Sequence, residues 1–373
     1  MKIVADQHIP FVEDYFAHAG ELHLLPGRQM STHALQDADL LLVRSVTRVD
    51  QSLLQNSNVK FVGSVTAGAD HLDLNWLRNA GIEVSLASGF NAPPVADYVV
   101  SVIAALQSLD RLSAAPLTVG VIGAGHVGRR VIEKLSILNH DIIISDPLRA
   151  EQEPDFVSHG LEEFVDLDLI SLHVPLTHDH HPTNHFINDV FLKRQKPGCV
   201  LINASRGAVI DSSALLNSGR HLVWCFDVWE NEPHIYPEIL AESRIATPHI
   251  AGYSLQAKRR GIEMIYQAAC NLGFIPQIKN SKQLQMPQFS IDAAGQRMTW
   301  QSLVLSLFNP LQMTDTMKRL LLESSLDHAR LFDELRLNFN RHELAYVTLS
   351  NALLNTKDAE VLQQFGVKMN DRT

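Results

Sequence analysis

Cysteine is scarce in this chain of 373 residues, with Cys199, Cys225 and Cys270 the three present. An odd number at wide spacing suits neither a disulfide framework nor a structural zinc site. Charge is also sparse, at 19% of residues, and it leans acidic: Lys plus Arg 31 against Asp plus Glu 41, a formal net charge of −10. That balance disfavours a polyanion-binding surface over the whole chain, so no nucleic-acid partner is expected, although a local basic cluster could hold one small phosphate. No apolar run reaches the ~20 residues that a bilayer span needs, so no membrane partner is expected. Met1-Lys2-Ile3-Val4-Ala5-Asp6 does not read as a secretory leader, because an acidic residue interrupts it and no apolar core follows. A cytoplasmic protein is the expectation. Apolar residues, at 46%, are plentiful enough to bury large cores in two or three domains.

The first hundred residues alternate strand-like and helical texture. Lys2 to Ala5, Asp39 to Val43 and Lys60 to Val65 are short unbroken apolar runs, as expected of strands covered on both faces of a parallel sheet. Asn75 to Ala80 reads as a helix stopped by Gly81. Asn91-Ala92-Pro93-Pro94 opens a long helical pattern, Val95 to Leu109, with prolines where a first turn loses no donor. A second alternation follows, with strands expected at Leu117 to Ile122, Asp141 to Ser145, Leu169 to His173, Cys199 to Asn203 and Leu222 to Phe226. A long helix returns at Tyr253 to Asn271. Beyond about Pro287 strand-like runs fade, and amphipathic helices such as Gln312 to Leu322 and His328 to Leu337 dominate. The expected architecture is α/β.

Gly123-Ala124-Gly125-His126-Val127-Gly128 carries Gly-x-Gly-x-x-Gly between a strand ending at Ile122 and a helix starting near His126. In that context the first glycine permits the tight turn. The second lets backbone approach a pyrophosphate, and the third lets helix and strand pack closely. Asp146 ends the next strand, where an acidic group accepts hydrogen bonds from the adenosine ribose and repels a 2′-phosphate. NAD is therefore favoured over NADP.

Three polar residues follow three consecutive strands or strand-like ends. Arg206 lies in Asn203-Ala204-Ser205-Arg206-Gly207, Glu232 in Asp227-Val228-Trp229-Glu230-Asn231-Glu232-Pro233, and His249 in Thr247-Pro248-His249-Ile250-Ala251-Gly252-Tyr253. An arginine fork holds a carboxylate bidentately. A histidine oriented by a carboxylate takes a hydroxyl proton as hydride leaves the same carbon. Singly each is more often structural; jointly, behind a nucleotide fold, they read as a catalytic set of Arg206, Glu232 and His249.

These motifs, with His173-Val174-Pro175-Leu176-Thr177, resemble the D-isomer-specific 2-hydroxyacid dehydrogenases over about residues 1 to 280. The resemblance implies two doubly wound Rossmann-like domains: a split substrate domain, 1–93 and 254–286, and an inserted NAD domain, 94–253. It also implies a mostly helical C-terminal dimerisation domain, 287–373, and a homodimer. By the same likeness Gly123, Gly125, His126, Val127, Gly128, Asp146, Val174, Asp227 and Gly252 bind cofactor, with Asp227 near the nicotinamide carboxamide. Tyr253, Ser45 and Thr66 bind substrate. The hydroxyls, N–H groups and guanidinium of Arg44-Ser45-Val46-Thr47 and Gly63 to Asp73 suit a phosphorylated polyhydroxy acid, and Arg44 is assigned to the phosphate on chemical grounds. Phe90, Asp97 and Val174 stand where the family more often has a smaller residue, Glu and Thr. The roles of Arg336 and Arg341 stay open: either could reach toward a neighbouring subunit's site, and surface or interface ion pairs are the leading expectation.

The run Thr177-His178-Asp179-His180-His181, with His185, looks like a metal site, but its histidines are too close in sequence to converge easily, and a solvated loop with no metal is the expectation. Trp224 and Trp229 are read as packing residues and Cys225 as a buried strand residue. Sibling activities on 3-phosphoglycerate or glyoxylate and hydroxypyruvate remain open within the family, as does an NAD-sensing corepressor-like binding role.

Overall fold

The computed structural model describes residues 1–178, 181–277, 286–323, 327–337 and 339–370. The chain divides into two compact units, Met1–Asn91 with Ser254–Pro287 and Ala92–Tyr253 with Gln288–Thr373.

The first unit is built on a five-stranded parallel sheet. Its spatial order is Glu21–Leu25, Lys2–Asp6, Leu40–Val43, Phe61–Ser64, Glu83–Leu86. Alternation along each strand sends side chains to two cores. Ile3, Ala5, Leu40 and Leu42 join Ile262, Ile265 and Tyr266 of the helix Leu255–Asn271. Val4, Leu41, Val43 and Val62 join Leu35, Leu54 and Leu77 on the other face. At Gly63 the return helix lies close against the sheet: a Cβ there would lie 2.4 Å from Ile265 Cγ2. The two edge strands, Glu21–Leu25 and Glu83–Leu86, are absent from the sequence-based expectation. They are half-exposed and mix polar with apolar residues, so no unbroken apolar run marks them.

The second unit carries a six-stranded parallel sheet. Its order is Ile245–Ala246, Val223–Phe226, Val200–Asn203, Leu169–Leu172, Thr118–Ile122, Asp141–Ser145. The order reverses between Thr118–Ile122 and Leu169–Leu172, which is where such sheets bind ligands beyond their carboxyl ends. The buried helix Ala92–Ser108 covers one face through Val99, Val102, Ile103 and Leu106.

The residues after 287 form the helices Trp300–Leu307, Pro310–Leu322, His328–Leu337 and Thr356–Gln364. They also form a three-stranded parallel sheet, Phe289–Asp292, Val347–Ser350 and Lys368–Asn370. The expectation that strands fade here is corrected: the strands are three or four residues long and partly exposed, too short to show a period. Trp300, Leu303, Phe308 and Phe365 share one core with the Ala92–Ser108 helix. Thr314 Oγ1 accepts from the edge-strand amide of Ala246 at 2.9 Å, satisfying a donor that the sheet leaves open. Among the described residues no helix is long and apolar enough to cross a membrane.

Candidate active site

The glycine loop joins Thr118–Ile122 to the helix His126–Ile137. Gly123 has φ +92°, and a Cβ on it would lie 2.4 Å from the His173 carbonyl oxygen. A Cβ on Gly128 would lie 1.9 Å from the Gly123 oxygen, so the helix packs against the turn only with glycine here. Gly125 opens the helix with no side-chain cap, and nothing lies within 4 Å of where its Cβ would be. That leaves helix-terminal N–H groups and free space for an anion. His126 is exposed and Val127 half-buried in the first turn, and Val174 lies against the Gly123 turn.

Asp146 follows Asp141–Ser145 and braces the same loop. Its Oδ2 accepts from Ala124 N at 2.7 Å and its Oδ1 from Arg149 N at 3.0 Å. A carboxylate has lone pairs beyond those two bonds, so ribose hydroxyls can still be received. The donor-lined loop, the clearance at Gly125 and the acidic group past the second strand fit a dinucleotide.

His249 and Glu232 are in direct contact: His249 Nδ1 and Glu232 Oε1 are 2.5 Å apart. Burial pushes the Glu232 carboxyl up, but the His249 charge and hydrogen bond, with the Arg336 guanidinium, outweigh it, so the carboxyl lies below its ordinary value. Glu232 Oε2 also accepts from Trp229 N at 3.2 Å. His249 itself sits at φ +55°, and its N–H donates to Asp227 O at 2.7 Å.

Asp227 is buried and shapes the histidine loop. Its Oδ1 accepts from Thr247 Oγ1 and Ile250 N, both at 2.7 Å, and its Oδ2 from Ala251 N at 2.9 Å. Burial pushes this carboxyl up, with His249 and the three donors acting against that. Tyr98 OH is 2.9 Å from Thr247 Oγ1 and extends the network into the Ala92–Ser108 helix.

Arg206 follows Val200–Asn203, and its Nη1 donates to Ser205 O at 2.9 Å. Asn203 Nδ2 donates to Arg206 O at 2.9 Å, fixing the turn. A Cβ on Gly207 would lie 1.9 Å from the Trp229 carbonyl carbon. The arginine loop is thereby pressed against the loop that carries Glu232. Gly252 and Tyr253 continue the histidine loop, Tyr253 N donating to Ile250 O at 2.8 Å.

Arg341 is corrected from a surface or interface ion pair, while Arg336 keeps a long pairing with Asp333 at 3.9 Å and reaches further. Arg341 is buried, and its Nη2 donates to Ala251 O at 2.6 Å and its Nε to Tyr253 O at 3.0 Å. Arg336 Nη2 donates to Tyr253 OH at 3.2 Å. Spacing along the sequence gives no sign of contacts that reach back more than eighty residues. Asp97, another departure, accepts from Leu344 N at 2.9 Å and lies 3.2 Å from Lys134 Nζ. Here it ties the long helix to the C-terminal segment.

The substrate candidates Arg44, Ser45 and Thr66 belong to the first unit. Arg44 Nε donates to the buried Asp6 Oδ2 at 2.9 Å, and its Nη2 to Oδ1 at 3.4 Å. Ser45 is exposed. Thr66 Oγ1 donates to Gly68 O and lies 2.8 Å from Ser64 Oγ, which in turn lies 2.8 Å from His71 Nε2. Lys258, on the first turn of the return helix, is close enough to Arg44 for the two charges to interact; burial first, then Arg44, pushes its amine down. Sequence reading passed over Lys258, and the Lys258-Arg259-Arg260 run was its available signal. In this unit Phe90 packs toward Gly261.

Of the histidine-rich loop, His181 pairs with Glu151 at 3.0 Å and His185 with Glu230 at 2.7 Å. Asp179 and His180 lie outside the described residues. Among the described residues no cluster of three metal-ligating side chains occurs. Cys225 is buried, and burial pushes its thiol well up, as befits a packing residue. Trp224 and Trp229 are likewise buried.

Residues 104–251 match the family model described as D-isomer specific 2-hydroxyacid dehydrogenase, NAD binding domain, and the cofactor of this domain is NAD. An erythronate-4-phosphate dehydrogenase of Coxiella burnetii (strain RSA 331 / Henzerling II) is 40% identical over 353 residues, covering 94% of this chain and 95% of that protein. One from Pseudomonas paraeruginosa (strain DSM 24068 / PA7) is 47% identical over 275 residues, covering 72% of each. In fold, the chain is similar to an NAD+-bound 3-phosphoglycerate dehydrogenase of Entamoeba histolytica, with TM-score 0.61 and 23% identity over 74% of this chain and 99% of that one. The chain belongs to the D-isomer specific 2-hydroxyacid dehydrogenase family, among the erythronate-4-phosphate dehydrogenases.

Proposed function

We propose that the chain oxidises 4-phospho-D-erythronate at C2 to (R)-3-hydroxy-2-oxo-4-phosphooxybutanoate, a step of pyridoxal 5′-phosphate (vitamin B6) biosynthesis. The names of its relatives support the substrate. The observation that carries the chemistry is the 2.5 Å contact between His249 Nδ1 and Glu232 Oε1. It commits Nδ1 to the carboxylate, so Nε2 is the atom that takes the proton of the C2 hydroxyl. Glu232, held ionised, orients the ring and supports the imidazolium that results. Arg206 grips the substrate carboxylate with its fork and polarises the C2 oxygen as it becomes a carbonyl. NAD, when bound, would supply the acceptor for the hydride of C2.

Gly123, Gly125, His126, Val127 and Gly128 would hold the pyrophosphate, and Asp146 the adenosine ribose. Val174, Asp227 and Gly252 would line the nicotinamide side. Arg44 is assigned to the substrate phosphate, Ser45 and Thr66 to its hydroxyl and acid oxygens, and Tyr253 to the substrate near C2. The domain division is proposed as 1–93 with 254–286 for substrate, 94–253 for NAD and 287–373 for dimerisation. The homodimer is tested by sedimentation of the whole chain against one ending at residue 286. A cytoplasmic location is proposed with it.

The test is hydride transfer by the purified protein with NAD, offered 4-phospho-D-erythronate, 3-phosphoglycerate, D-glycerate and D-lactate, with a 2-oxo acid acceptor present to reoxidise retained NADH. Preference for phosphoerythronate is expected. His249→Ala should lower turnover by about a thousandfold while leaving NAD affinity within about twofold. A different preferred acid removes the erythronate assignment, and a wild-type rate in His249→Ala removes His249 from the mechanism.

A further inference from the structure

The segment after residue 287 sends two arginines back to the loop that bears His249, and they do different work. Arg341 donates to three backbone carbonyls, Nη2 to Ala251 O at 2.6 Å and to Pro94 O at 2.5 Å, and Nε to Tyr253 O at 3.0 Å. It fixes backbone.

Arg336, near the end of the helix His328–Leu337, meets side chains instead. Its Nη2 donates to Tyr253 OH at 3.2 Å, and its guanidinium carbon stands 5.8 Å from the centroid of that ring and 5.7 Å from that of Phe332. Asp333, one turn earlier, is a distant partner at 3.9 Å. The Nε is buried with no acceptor among the described residues. A guanidinium so placed is costly to bury unless nearby negative charge compensates it. Burial pushes Arg336 down, and Tyr253, Glu232 and Asp333 more than offset that. The reciprocal effect falls on Glu232, which Arg336 helps to keep below its ordinary value.

We infer that Arg336 is a positioning residue for proton transfer: it holds the Tyr253 hydroxyl on the loop that carries His249 and brings a positive charge to bear on Glu232. The inference rests on the reading of His249 as the proton acceptor. It ties the C-terminal segment to the chemistry through one side chain. Among the described residues, the charged groups that act on the pair are Asp227, at the end of Val223–Phe226, on His249, and Arg336 on Glu232; Tyr253 from the histidine loop faces Arg336. Asp333 faces Arg336 from its own helix, and Arg341 faces Asp227.

The sign of the pH effect follows. For oxidation the pair must be ready to accept a proton, so the rate falls as pH drops. Removing a neighbouring cation makes the pair hold a proton more tightly, which moves that acid limb to higher pH.

The test is the pH profile of kcat/KM in the direction of 2-hydroxy acid oxidation. Arg336→Met should lower kcat about tenfold, leave NAD affinity within about twofold, and move the acid limb up by about one pH unit. Arg336→Lys keeps the charge without the fork, so it should restore the limb but not the full kcat. Arg330→Ala, an exposed arginine of the same helix paired with Glu334, should change neither. If Arg336→Met does not fold, Arg336→Gln carries the same comparison, with a thermal melt to establish that it is folded. A folded Met or Gln variant whose acid limb stays in place overturns the inference. That failure is distinct from failure of the underlying reading, which would show as a His249→Ala variant with wild-type turnover.

Discussion

Each unit buries an aspartate at the carboxyl end of a parallel strand, and the two are satisfied in different ways. Asp6 ends Lys2–Asp6 and faces a cation, the Arg44 fork, with His8 N as a further donor at 2.9 Å. Asp227 follows Val223–Phe226 and faces neutral donors, one hydroxyl and two backbone amides. Position in the sheet is the same; the consequence is not. Asp6 holds a side chain whose remaining N–H groups can meet a ligand. Asp227 holds the path of the main chain, and so the place where His249 emerges. A buried carboxylate at a strand end is thus a device for orienting whatever donates to it, and the donor decides whether that is a binding group or a loop.

Replacing Asp227 should have the largest effect. Asp227→Ala leaves two buried amides and a hydroxyl without an acceptor, and should cost about 3–5 kcal/mol in urea unfolding along with nearly all turnover. A loss under 1 kcal/mol would show that the loop holds its own shape and would dissolve the contrast. Arg44→Met comes next, because it strands the Asp6 charge in the first unit; about 3 kcal/mol is expected. The double variant Asp6→Ala, Arg44→Met should recover part of that loss, and simple additivity in this cycle would mean the two groups are not coupled. The smallest effect belongs to Thr247→Val, which removes one of three donors to Asp227 and should cost about 1 kcal/mol. A cost as large as that of Asp227→Ala would place the whole burden on the hydroxyl and not on the amides.

Much of the candidate site could be read before any coordinates. Gly123, Gly125 and Gly128 are legible because backbone clearance has one residue type that supplies it, and the strand before and helix after are marked by local apolar pattern. Arg206, Glu232 and His249 were found as a set because each follows a strand end. Their contact, the 2.5 Å approach of His249 to Glu232, needed two loops to meet. The role of Asp227 in shaping the histidine loop was not legible. Its three donors lie 20 to 24 residues away and leave no periodic mark. The buried carbonyl contacts of Arg341 and the reach of Arg336 to Tyr253 are illegible for the same reason at greater range. The edge strands Glu21–Leu25 and Glu83–Leu86 escaped because half-exposed strands need no unbroken apolar run.

By itself, then, the sequence determined what local sterics and burial determine: the inner strands of both sheets, the glycine turn, the long helices and which residues are candidates for the chemistry. Only the tertiary structure decided which donor meets which acceptor. The pairings of Asp6 with Arg44, of Asp227 with the Thr247 to Ala251 segment, and of Arg336 with Tyr253 are long-range hydrogen bonds. Their geometry depends on how separate elements pack, and packing is a property of the assembled cores and not of any local stretch of chain.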